Sequence, residues 1–283
     1  MQFSKPARLS AMIASIAAAL TFAACGGGSM SRPPKVTQAA VPTAGAPPSG
    51  NPSNSSSPDH PANATVIGQI QSKGGWESCT AAFANGYPCA SGRGKADAWM
   101  AQNQKTPSLS GSSSEFHIGG ATPYSNNLWW KQLGPNNNVA HFSYDFWVYT
   151  ANPDRPEAME FDVNQTFNGT RWVFGTECNF AGTGKWDVWD GSGQWGKWVP
   201  SSVSCPRLQP NTWTHFVWQF ERVGQQVHYI SVTVNGTEHP VNMYQAAEEN
   251  DHAYEINAAV QLDGNYRQAP YELYVDNLTL TYW

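Results

Sequence analysis

Two carboxylates stand two positions apart in the stretch AMEFDVNQTF, at Glu160 and Asp162, and two amides follow at Asn164 and Gln165. Strand periodicity puts Met159, Phe161 and Val163 on one face and Glu160, Asp162 and Asn164 on the other. Like charges at this spacing repel and raise at least one pKa. Such a row is costly unless the face is simply wet, as one side of an antiparallel sheet often is, or unless it does something. Carboxylates can attack, abstract or donate protons, and they can also accept hydrogen bonds from hydroxyl groups. An amide can do only the last of these, and general acid assistance is worth about 10²–10⁴-fold. The row therefore suits holding a hydroxyl-bearing ligand better than cleaving it.

A second cluster is aromatic. KWDVWDGSGQWGKW carries Trp186, Trp189, Trp195 and Trp198 around an Asp-Gly-Ser-Gly turn. Rings this bulky on a short hairpin either pack across strands or present flat apolar faces to a ligand. Trp189 and Trp195, nearest the turn, are the candidates for the second role. Further polar groups fall on the non-core parity of their strands: His215, Gln219, Gln261 and Asp263, with Trp147 on the equivalent face of its own strand.

The elements that must position these residues are strands. VAHFSYDFWVYT alternates Phe142, Tyr144, Phe146 and Val148 against Ser143, Asp145, Trp147 and Tyr149. TWTHFVWQFE does the same with Phe216, Trp218 and Phe220, and QVHYISVTVNG ends in an Asn-Gly hairpin turn. About a dozen strands with short Gly, Asn and Pro turns indicate an all-β antiparallel sandwich or barrel. Helix is expected only as a turn or two near residues 95–102 and 243–249. In YELYVDNLTLTYW the parity slips by one residue, which predicts a bulge near Asp276 and Asn277.

Residues 1–25 read as an export signal: Lys5 and Arg8 precede an apolar run ending at Cys25. The run resembles a bacterial lipoprotein signal, in which that cysteine is lipidated; the alternative is cleavage near Ala24. Residues 26–64, rich in Gly, Pro, Ser and Ala, form a tether with too little apolar surface to fold. Residues 65–283 form one domain that holds all 13 Trp. Four cysteines remain in it, and three pairings are open; neighbours pair as Cys79–Cys89 and Cys178–Cys205. No zinc spacing occurs, and a net charge of −5 with 16 Lys and Arg argues against nucleic acid. Asp187, Asp190 and Asp263 with Asn265 lack any regular calcium-loop spacing.

Glu-Phe-Asp-Val and the closing YELYVDNLTLTYW resemble the concanavalin A-like lectin/glucanase superfamily, in particular laminarinase and lichenase-type glycoside hydrolases. The resemblance implies an antiparallel two-sheet jelly-roll sandwich whose concave face holds a sugar chain. In that family an E-x-D-x-E strand, or E-x-D-x-x-E with a bulge, supplies nucleophile, supporting acid and acid/base. Glu160 and Asp162 match the first two; the third falls on Asn164 or Gln165. The Asp matching Asp276 often helps hold a structural calcium there, while no cofactor is required for binding.

A retaining glycosidase needs two carboxyls about 5–5.5 Å apart, and an acid from another strand, such as Glu177 or Glu221, has no support from spacing. The expected function is therefore an exported, lipid-anchored, lectin-like protein that binds polysaccharide or oligosaccharide at the bacterial cell envelope and meets the membrane only through its anchor. Trp147, Glu160, Asp162, Asn164, Gln165, Trp189, Trp195 and His215 are the expected binding residues. The rivals are a glycoside hydrolase or polysaccharide lyase using Glu160 and Asp162 as catalytic residues, and a structural envelope protein. Convergence of Glu160, Asp162, Trp147 and His215 in one groove, with or without a second carboxyl, separates the three.

Overall fold

The computed structural model describes residues 60–79, 96–193, 196–249 and 254–283. Cys25, Cys89 and Trp195 lie outside them, and with them the lipidation site, the Cys79–Cys89 pairing and one rim tryptophan. Among the described residues the strands are β1 (Thr65–Ile67), β2 (Trp76–Ser78), β3 (Asp97–Gln104), β4 (Ser113–Gly119), β5 (Asn126–Gly134), β6 (His141–Tyr149), β7 (Pro156–Phe167), β8 (Thr170–Phe174) and β9 (Thr176–Cys178). They continue with β10 (Lys185–Asp190), β11 (Lys197–Ser204), β12 (Thr214–Val223), β13 (Gln226–Val234), β14 (Thr237–Ala246), β15 (Glu248–Glu249), β16 (Glu255–Gly264) and β17 (Tyr271–Tyr282).

The strands form two antiparallel sheets. One runs β14-β13-β12-β6-β17-β4-β3, with β1 on β17; the other runs β11-β10-β9-β7-β16-β5-β2, with β8 beside β7 and β15 beside β8. The chain passes from β4 to β5, β6 and β7 by changing sheet each time, and β16 and β17 do the same at the end. This is an antiparallel sandwich, one of the two forms the alternation allowed, and it has the jelly-roll form that the resemblance implied. The inward parity supplies its core: Phe146 of one sheet stacks on Phe161 of the other at 4.2 Å, and Trp186 meets Phe216 and Trp218 edge-on at 5.3 and 5.2 Å. Trp218 is fully buried, in keeping with its shared parity with Phe216 and Phe220. A disulfide joins Cys178 to Cys205 and ties β9 to the segment after β11.

Two short helices expected from the sequence are strands instead. Residues 97–104 pair with β4, and residues 237–246 complete a hairpin with β13. The cause of the second is the Asn235-Gly236 turn, both residues at positive φ (48° and 84°), which folds the chain straight back along β13. A 3₁₀ turn spans Ile70–Ser72. In β17 the register to β6 shifts between Asp276 and Thr279, and Asn277 takes φ 52°. The bulge lies where the parity slip put it.

Candidate functional site

The site begins with a hairpin. Asn168 and Gly169 join β7 to β8 with φ of 50° and 76°, and pairing runs outward from that turn through Phe167↔Thr170 and Val163↔Phe174 to Glu160↔Glu177. Two outward-facing glutamates are thus set directly opposite each other. On the other side of β7, strand β16 places Gln261 opposite Glu160, Ala259 opposite Asp162 and Asn257 opposite Asn164. Strand β5 then adds Leu128, Trp130 and Gln132 to the same three rows.

Each row has its own chemistry. The first reads Leu128, Gln261, Glu160, Glu177 and Asp187 across β5, β16, β7, β9 and β10. In the second, Trp130, Ala259 and Asp162 are followed by Gly175, whose carbonyl accepts from Trp189 N–H at 3.1 Å, and by the cross-strand pair Trp189 and Trp198. Asp162 is therefore flanked by two small residues and, beyond each, a tryptophan. Gly175 must be small: a Cβ there would meet Trp189 Cβ at 2.9 Å. The third row is amide, with Asn164 donating to Asn257 at 2.9 Å.

Polar groups on this outward face are sheltered: Glu160, Asp162 and Gln261 are each 8% exposed, Asn257 7% and Glu177 9%. The Gln261 amide donates to Glu160 Oε1 and, at 3.2 Å, to Asp263 Oδ1. One carboxylate oxygen from each of Glu160, Glu177 and Asp263 lies within 4.8 Å of the others. Burial first, then the charges of Asp263, Asp162 and Glu177, push the Glu160 carboxyl well above its ordinary range. Burial raises Asp162 to about 7 against the opposing hydrogen bond from Thr176 N–H. Glu177 is raised to about 8 by burial and the neighbouring Asp263 and Asp187 charges. Asp263 rises to about 7, again through burial, although Asn126 and Gln261 hydrogen bonds work the other way. Asp187 instead accepts from Asn179 and Thr183 at 3.0 and 2.8 Å and holds the turn after β9.

The expected residues do not all meet here. Trp147 and His215 are cross-strand neighbours in β6 and β12, stacked at 4.4 Å, with His215 Nε2 2.7 Å from Asp145 Oδ1. They point outward from the other sheet, so the whole aromatic core separates them from Glu160 and Asp162. Strands β6 and β7 are consecutive but belong to different sheets, and outward from each means opposite directions. Glu160, Asp162, Trp147 and His215 therefore do not converge in one groove. Gln165 lies on the inward parity, fully buried, and donates to the carbonyls of Asn136 and Val139 at 2.9 and 3.0 Å. Because β7 pairs with β16 without a shift through this stretch, no bulge turns Gln165 outward, and Asn164 occupies the third outward position.

Trp189 does border the acid rows, where its indole donates to Glu248 Oε1 at 2.7 Å. Trp186 is core, and Trp198 packs edge-on against Trp189 at 5.1 Å. Asp276 is taken up by the protein itself. It accepts from Ser108, Leu109 N–H, Ser110 N–H and Oγ, Gln71 and Asn277 N–H at 2.6 to 3.1 Å. Although burial opposes its charge, those bonds, led by Ser110, hold it below the usual carboxylate range. Six donors leave no lone pair for calcium, so the metal reading of Asp276 is corrected too.

Fold and site together define a jelly-roll sandwich with a sheltered row of acids and amides between tryptophans on one outer face. No protein-family model and no curated protein matches the chain. Among solved structures it is similar to an alginate lyase, Aly36B, in complex with an alginate trisaccharide: 14% identity over 77% of this chain and 97% of that one, TM-score 0.41. It is similar to an endo-β-1,4-glucuronan lyase from the fungus Trichoderma reesei, at 10% identity over 69% and 91% of the two chains, TM-score 0.43. Basic winged bean lectin with Tn-antigen gives 12% identity over 78% and 98%, TM-score 0.43. No residue role is carried over from them.

Proposed function

We propose that the protein binds a glycan across the outer face of the nine-stranded sheet. The observation that carries this reading is the row Trp130–Ala259–Asp162–Gly175–Trp189. Strands lie about 4.8 Å apart, so the two indoles stand some four strand spacings from each other, roughly 19 Å along the row. Small residues between them leave a floor on which pyranose rings can lie, and acids and amides in the adjoining rows accept and donate to hydroxyls. The test is calorimetric titration with a panel of neutral and charged oligosaccharides, comparing wild type with Trp130→Ala. Binding that Trp130→Ala weakens at least tenfold supports the reading. Failure of every oligosaccharide to bind would leave the face without this role.

A second reading has its own observation. Glu177 opposes Glu160 within the reach that a retaining glycosidase needs, and a carboxyl titrating near 8 keeps its proton at neutral pH, as a general acid must. On that reading Glu177 is the acid that Asn164 cannot be. Shortening of a bound oligosaccharide by wild type, abolished in Glu160→Gln, would establish it; intact recovery of the oligosaccharide would leave binding alone. Attachment to the envelope through lipidated Cys25 remains part of the proposal, and Cys25→Ser should then move the protein from the detergent phase to the aqueous phase.

A further inference from the structure

Among the described residues the three-acid cluster has no cationic counterpart. No described Lys, Arg or His pairs with Glu160, Asp162, Glu177 or Asp263; on the same sheet Arg171 pairs with Glu248 and Lys197 with Asp190. Within the cluster Glu177 stands out. It is nine-tenths buried and faces Glu160 and Asp263, and its carboxylate has no hydrogen-bond or ion-pair partner among the described residues. Asp263 Oδ2 is a buried oxygen without a hydrogen-bond partner. Sheltered acceptors left open in this way call for a donor that arrives with the ligand.

Geometry admits an ammonium as that donor. A primary ammonium directs its N–H groups tetrahedrally, and with charge-assisted N···O distances of about 2.8 Å its acceptors stand about 4.6 Å apart. The oxygens of Glu160, Glu177 and Asp263 lie within 4.8 Å of one another. A hard divalent cation fits less well. Calcium takes about 6–8 oxygens, whereas the cluster gathers one carboxylate oxygen from each of three residues.

Resting on the glycan-binding reading, we propose that Glu160, Glu177 and Asp263 form a pocket for the ammonium group of an amino sugar, so that the ligand is a glycan with free amino groups. A uronic acid polymer would add negative charge to the same row. Because Glu177, raised to about 8, holds its proton at neutral pH when the pocket is empty, an incoming ammonium should expel it.

The experiment titrates the protein at pH 7 with glucosamine, N-acetylglucosamine and glucose oligomers of equal length, in two buffers of different ionisation enthalpy. The expected result is at least tenfold tighter binding of the glucosamine oligomer, with proton release seen only for it. Glu177→Gln and Asp263→Asn should each weaken that binding at least tenfold while melting no lower than wild type. Equal affinity for the three oligomers would overturn the ammonium pocket and leave the glycan reading standing. Failure of all three together with the wider panel would remove both. Stoichiometric calcium binding that is lost in Glu177→Gln and blocks the glucosamine oligomer would show a metal site instead.

Discussion

Replacing Glu177 by Gln should make the protein more stable, and more so as pH rises. In the unfolded chain this carboxyl titrates near its ordinary value of 4.5; in the fold, burial and neighbouring negative charge move it to about 8. Below 4.5 both states hold the proton, and the group contributes nothing that depends on pH. Between 4.5 and about 8 the unfolded chain has released its proton while the folded protein has not. Stability then falls by about 1.4 kcal/mol for each pH unit from this one group. Across the whole window the loss approaches roughly 5 kcal/mol, and at pH 7 it is about 3 kcal/mol, before water entry and relaxation reduce both.

Glutamine keeps the shape and removes the titration. Urea unfolding of wild type and Glu177→Gln from pH 4.5 to 8.5 should give two lines that diverge with rising pH, the variant lying higher by about 1–3 kcal/mol at pH 7. Parallel lines would refute the reasoning, because they would mean that Glu177 is ionised at little cost and is not sheltered with the other acids. A variant less stable than wild type throughout would mean that an unseen partner satisfies the carboxylate.

Asp276→Ala should destabilise the protein by on the order of 3 kcal/mol or more, since it strands several donors that converge on one carboxylate; a urea midpoint unchanged from wild type would contradict that. Because this carboxyl is held below its ordinary value, the stability it confers is present above pH 3.8 and is lost as pH falls through the lower folded value. Trp218→Ala should lower stability by about 3–5 kcal/mol through the cavity it leaves, whereas Trp130→Ala, on the half-buried outer face, should change glycan binding far more than the melting temperature. Removing the Cys178–Cys205 bridge with Cys205→Ser should cost about 2–5 kcal/mol, measured by denaturation under non-reducing conditions.

What the sequence made legible was local. Period-two alternation identified the inward residues of β6, β7 and β12, because one face of each strand must meet the core. The Asp276 bulge was visible as a break in that alternation, although its donors, brought in from residues 71 and 108–110, were not. Parity, however, says only inward or outward, never to which sheet a strand belongs. Trp147 and Glu160 share a parity and face opposite ways for that reason. Gln165 was assigned to the ligand through the chance of a bulge, yet its alternation with Met159, Phe161 and Val163 already placed it inside. The opposition of Glu160 and Glu177 was available in principle: Asn168-Gly169 is a hairpin turn signal, and counting outward from it pairs 160 with 177 and 162 with 175. Trp130, Ala259 and Gln261 were beyond such counting, since β16 reaches β7 from about a hundred residues away.

The same hairpin explains why acids can be gathered where they weaken the fold. Pairing outward from Asn168-Gly169 fixes β8 and β9 to β7 by backbone hydrogen bonds that do not depend on what the outward side chains are. The inward side chains, Phe161, Val163, Phe174 and Cys178, are fully buried, and the disulfide at Cys178 closes the end at which Glu177 stands. Glu160 and Glu177 are therefore held together by neighbours one position away on the opposite face, at a cost of several kcal/mol that the core and the bridge offset. A solvated structural face would not need that expense, since opposed glutamates on it would simply turn into water. Sheltered, paired and without a counter-charge among the described residues, these acids carry a destabilisation that a ligand can relieve, and so the energy that weakens the empty fold is available to favour the occupied one.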